Sequence, residues 1–123
     1  MDKFKGQHDE GDCRITKMRL IREVNNDMCH NFYYEVRFRI YTGKTHYYKG
    51  NFVIWFDTDD LAMEYPEKDI YTKADIRNYA NELAWGFMDI APRKNINAET
   101  IRPFYEECRR TIDNYNGNRR NVA

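Results

Sequence analysis

Serine is absent from all 123 residues, and with it goes every mechanism built on a serine nucleophile. Glycine is sparse: Gly6, Gly11, Gly43, Gly50, Gly86 and Gly117 are scattered, so neither the Walker nor the dinucleotide phosphate loop can be written on them. Cysteine is limited to Cys13, Cys29 and Cys108, an odd and widely spaced set that fits a reducing compartment better than a disulfide framework. Cys29 and His30 are neighbours, but no C-x-x-C or H-x-x-x-H pair supplies the second half of a zinc site. No window approaches the roughly 18 apolar residues of a membrane span. The polar start MDKFKGQHDEGD lacks the apolar run of a secretory signal. These absences lead to the expectation of a cytoplasmic protein with no membrane contact, no metal and no cofactor.

What is present is enough for a folded domain. Hydrophobic residues make up 41% and aromatics 15%, too apolar and too aromatic for a disordered chain. The length fits one domain with a buried core. Lys plus Arg and Asp plus Glu are 20 each, which argues against indiscriminate coating of a polyanion.

Periodicity divides the chain. Residues 1–12 read as a flexible polar arm, 13–116 as a single domain, and 117–123 as a disordered basic tail beyond Gly117. The run CRITKMRLIREV from Cys13 to Val24 reads as a strand with imperfect alternation, which suggests a bulge. Asn25-Asn26-Asp27 supplies turn chemistry. Phe32, Tyr34, Val36, Phe38 and Ile40 then alternate with Tyr33, Glu35, Arg37, Arg39 and Tyr41, the signature of a half-buried strand. A short turn at Thr42-Gly43-Lys44 leads to a third strand over about 45–57, where Gly50 marks a bulge or a close approach.

The period then changes. DTDDLAMEYPEKD, residues 57–69, reads as an acidic loop with room for one short turn or edge strand. Thr72 and Asp75 form a variant capping box ahead of a helix whose stripe is Ile76, Tyr79, Ala80, Leu83, Ala84, Phe87 and Met88. A second helix is expected from Ile101 or Pro103 to Tyr115, because proline is tolerated only in a first turn. The expected fold class is α+β: a three-stranded antiparallel meander, with room for a fourth strand, packed on one face by two C-terminal helices.

Charge is segregated along the chain. Residues 13–54 hold eight bases against three acids, and residues 55–99 hold ten acids against five bases. If helices cover one sheet face, the other displays Tyr33, Arg37, Arg39, Tyr41, Tyr47, Lys49, Asn51 and Trp55. Arginine interleaved with tyrosine and tryptophan suits phosphate contact and base stacking, and equally a protein interface. A solvated face with cross-strand packing is the plain alternative. The acidic connector, with Asp57, Asp59, Asp60 and Glu64, is a second candidate contact for a basic groove. As a calcium loop it fails, because Leu61 and Lys68 occupy positions that need oxygen ligands.

The favoured reading is a small non-enzymatic protein that occludes a surface on a protein or nucleoprotein partner. In size and charge style it is comparable to accessory or inhibitor proteins of phages and mobile elements, such as an anti-CRISPR inhibitor of a defence nuclease. The alternatives are a nucleic-acid-binding module on the basic sheet face and an enzyme with an unrecognised site. Oligomeric state is left open by the sequence.

Overall fold

A computed structural model describes the backbone over residues 8–122 and side chains through residue 117. The first seven residues of the expected polar arm, and the side chains of the expected basic tail, lie outside that description. The chain is an α+β fold. Its elements run β1 (Cys13–Asn25), β2 (His30–Tyr41), β3 (Tyr47–Asp57), α1 (Thr58–Glu64), α2 (Lys73–Met88) and α3 (Ala98–Val122). The three strands form one antiparallel sheet in the order β1-β2-β3.

The alternation in β2 organises the core. Phe32, Tyr34, Val36, Phe38 and Ile40 are all buried, with Phe52, Ile54 and Phe56 of β3 beside them. From the helices come Ala80, Ala84 and Met88 of α2 and Ile101, Phe104 and Cys108 of α3. Small residues at Ala80 and Ala84 let the helix approach the sheet closely, while aromatic pairs such as Phe38–Phe104 and Phe52–Phe87 fill the space between layers. Gly50 is a close-approach point. A Cβ there would lie 2.7 Å from the Phe38 ring and 3.1 Å from Tyr105, and the β2–β3 register runs through it without a bulge.

Three segments differ from the sequence reading. Residues 58–64 of the acidic connector form helix α1. Asp57 accepts from the Asp60 amide and Asp60 accepts from the Asp57 amide, a reciprocal capping box, and buried Leu61 anchors the helix to the core. Residues 8–12 are docked: Gly11, at φ +90°, donates to the Tyr41 carbonyl, and Tyr41 donates back to Asp12. α3 begins earlier and ends later than expected. The Asn97 side chain accepts from the Glu99 and Thr100 amides and nucleates it. Pro103 therefore sits inside the helix. The carbonyl it leaves unpaired belongs to exposed Glu99, where water can satisfy it. Gly117 does not end the helix, which continues to Val122.

α3 also covers the outer edge of β3. The Thr111 hydroxyl accepts from the Val53 amide at 2.9 Å, and the Tyr105 hydroxyl donates to the Lys49 carbonyl at 2.7 Å. One amide and one carbonyl of the outer strand edge are thereby satisfied by side chains. Thr111→Val keeps the shape but leaves the Val53 amide without its acceptor, so stability in urea unfolding is expected to fall by about 1–3 kcal/mol. An unchanged midpoint would mean that the edge is satisfied by other means.

Candidate functional site

The sheet face opposite the core is built row by row from the strand register. Arg14, Arg39 and Lys49 form one row; Lys17, Arg37 and Asn51 the next; Arg19, Glu35 and Val53 the third; Arg22, Tyr33 and Trp55 the fourth; and Val24, Asn31 and Asp57 the fifth. The β1 cations occur at spacings of three, two and three, which a regular strand would split between its faces. Register shifts between Ile15 and Lys17 and between Leu20 and Arg22 each absorb one extra residue. The two bulges bring all four cations to the same face. The result is seven cations with Glu35 in their midst, and Asp57 in the row at the far end of the face.

Glu35 Oε1 accepts from Arg19 Nε at 3.0 Å and lies 3.7 Å from Arg37 Nε, while its Oε2 accepts from Asn51 at 3.1 Å. Burial alone would raise its pKa. The Arg19 hydrogen bond, the charges of Arg37 and Arg19, and the Asn51 amide outweigh burial and hold it below the usual carboxylate range. Beside it, an open cleft of about 470 Å³ is lined by Thr16, Glu35, Arg37, Arg39, Lys49 and Asn51. Three cations line it against the one carboxylate, with Phe38 and Gly50 completing its walls.

Aromatic rings flank the cations at both ends. Tyr47 is exposed, with the Arg39 guanidinium 4.4 Å from its ring centre. At the other end Trp55 is 53% exposed and stacks against Tyr33, 6.1 Å away with planes 24° apart. Two of the expected surface residues are not available. Tyr33 is buried because Tyr115 of α3 packs on it at 5.3 Å. Tyr41 is buried because His8 stacks on it at 3.7 Å and Tyr47 packs beside it. They support the exposed rings from beneath.

Of the expected cationic residues, Arg37, Arg39 and Lys49 lie together as the pattern predicts. Arg14, Lys17, Arg19 and Arg22 are additions. Their only sequence signal was the odd jump in spacing, readable once two bulges are placed. The acidic set divides. Asp57 and Asp60 are committed to the cap of α1, whereas Asp59 and Glu64 remain exposed.

The Cys108 and Cys13 thiols sit where burial disfavours the thiolate. Burial pushes the Cys108 thiol up to about 12. Burial also raises the Cys13 thiol, against the opposing effect of Arg93, whose Nη1 lies 2.7 Å from its sulfur. Arg93 also donates to the carbonyls of Gly11 and Met88 and lies 3.9 Å from Asp89, so it acts as a clamp between the N-terminal turn and the end of α2. His30 is paired with Glu23 across the β1–β2 hairpin rather than with Cys29. Among the described residues, no three His, Cys, Asp or Glu side chains form a metal-holding group, and no helix is long and apolar enough to cross a membrane. In comparisons with protein-family models, curated proteins and solved structures, nothing matches this chain.

Because its folded pKa is depressed, Glu35 stabilises the fold fully above the ordinary carboxylate range, and that contribution is lost as pH falls through the depressed value. Glu35→Gln is expected to lower the thermal midpoint at pH 7 and to flatten its decline on acidification below about pH 4. Melts across that range check both; an acid limb as steep as in the parent protein would show that other carboxylates carry it.

Proposed function

We propose that this chain is a non-enzymatic binding protein whose working surface is the open face of the sheet, and that this face engages the phosphate backbone of nucleic acid. The observation that carries the reading is the convergence of seven cations from three strands on one face, with Glu35 the carboxylate in their midst. Arg19 and Arg37 are partly neutralised by Glu35. Arg14, Lys17, Arg22, Arg39 and Lys49 are left to meet phosphates. A flat cationic surface does not recognise sequence by itself; backbone contacts set position and affinity.

A protein partner is the second reading, in which the chain acts by surface occlusion, as an inhibitor of a nucleic-acid-handling protein would. It is favoured by Met63 and Ile70, 84% and 81% exposed, on a segment that also exposes Asp59, Glu64, Glu67 and Asp69. Apolar anchors rimmed by acids suit a basic protein groove. Affinity purification after nuclease treatment separates the readings, since a protein partner survives that treatment.

Backbone binding is expected to weaken with salt, with a slope of log K on log salt of about −3.5 to −4.5 if the five available cations each meet a phosphate. Charge reversal at Arg37 and Arg39 should abolish binding, and reversal at Arg14 and Lys17 should weaken it comparably. The thermal midpoint should move little on reversal at the exposed Arg14 and Lys17. Reversal at Arg37 sets a like charge beside Glu35 and should lower the midpoint, so binding is compared well below each variant's midpoint. Binding that persists in the Arg37/Arg39 variant would reject the face as the working surface.

A further inference from the structure

Trp55 is an expensive residue to leave on a sheet face. More than half of its surface is exposed, although the neighbouring Tyr33 and Val53 are buried. Its ring is nevertheless held in place. Tyr33 stacks on it from β2, and Tyr115 of α3 packs on Tyr33 in turn. A notch of about 100 Å³ opens beside the indole, lined by Tyr33, Val53, Thr111, Asn114 and Tyr115. Asn114 is exposed there and carries both a donor and an acceptor. Tyr47 presents a second exposed ring on the same face of β3, eight residues away, which is about 27 Å along a strand. Between the rings lie Arg39, Lys49, Arg37 and Asn51, with the β1 cations alongside.

Resting on the reading of this face as a phosphate-binding surface, we infer that its ligand is a single strand of nucleic acid, with one base stacked on Trp55. Duplex bases are already stacked on each other, so an aromatic platform adds nothing to duplex affinity unless the strands part. An unpaired base can lay its face on the indole, and any base will serve, because every base has a π-face. The face is also three strands wide, broader than the helix or two-stranded ribbon that the major groove admits. Tyr47, stiffened by the Arg39 guanidinium, supplies the second stacking point. The cations between the two rings follow the backbone that joins the stacked bases. Asn114 stands where it can meet the edge of the base on Trp55 without demanding one base type.

The test uses the full chain carrying Trp85→Phe, which leaves Trp55 as its single indole. It is titrated with an oligothymidylate of about 12 nucleotides and with a duplex of the same length, at matched salt. The expected result is quenching of Trp55 fluorescence by the single strand and at least tenfold tighter binding of it than of the duplex. Trp55→Ala should weaken the single strand about five- to a hundredfold and leave duplex binding unchanged. Trp55→Phe should recover part of the loss. If Trp55→Ala fails to fold, the quenching and the Trp55→Phe affinity decide the matter. Equal affinity for both nucleic acids, with Trp55 unquenched and salt dependence intact, would overturn single-strand stacking and leave the phosphate-binding face standing. Binding of neither, or binding indifferent to reversal at Arg37 and Arg39, would overturn the phosphate-binding reading itself.

Discussion

Burial of one face of β2 is the constraint from which the rest of the molecule follows. Phe32, Tyr34, Val36, Phe38 and Ile40 are each nearly or fully removed from solvent, and removal of that apolar area from water is the main favourable term available to a domain of this size. A strand points successive side chains to opposite faces. Once α2 and α3 cover the apolar set, Glu35, Arg37 and Arg39 have no course but outward. β3 follows by register, sending Phe52, Ile54 and Phe56 inward and Lys49, Asn51 and Trp55 outward. The cationic surface is thus the obligatory reverse side of the core.

α3 does more than cover that core. It lies along β3 and meets two backbone groups of its edge through Thr111 and Tyr105. Farther along, Tyr115 reaches the opposite face and rests on Tyr33. One helix thereby contributes Phe104 to the interior, hydroxyls to the strand edge and an aromatic ring to the outer surface. Trp55 is oriented by this arrangement, so the rim of the candidate site depends on the same helix that stabilises the fold. The acidic half of the chain is used differently. Asp57, Asp60 and Asp75 spend their carboxylates on amide groups at helix starts, and Asp75 also accepts from Lys68 at 2.7 Å. These are structural uses of charge, favoured by the partial positive charge at helix N-termini.

Much of this was legible in the residues. The even alternation of β2, the Thr72–Asp75 capping box and the stripe from Ile76 to Met88 each matched an observed element, because each is a local pattern with a local cause. The acidic connector holds more structure than its composition suggests. Three acids and a proline resemble a solubilising loop, yet Asp57 and Asp60 are spaced to cap a helix that only Leu61, by burial, makes worthwhile. Pro103 misplaced the start of α3 for a related reason: a missing amide hydrogen bond at an exposed position costs less than the packing of Ile101 and Phe104 returns. Tyr33 and Tyr41 looked like surface residues because periodicity assigns a face and not its coverage. What buried them was the arrival of Tyr115 and His8 from distant segments.

Sequence by itself determined that the domain is α+β, that β2 carries one apolar and one cationic face, and that the helices cover the apolar one. Those outcomes follow from residue period and from the free energy of burying nonpolar surface. Tertiary structure alone decided how much of the other face is open to solvent. The phase of β1 depended on bulges, and a bulge is settled by register against a neighbouring strand. Only that register joined Arg14, Lys17, Arg19 and Arg22 to Arg37, Arg39 and Lys49. Likewise, only the path of α3 buried Tyr33 while leaving Trp55 open beside it.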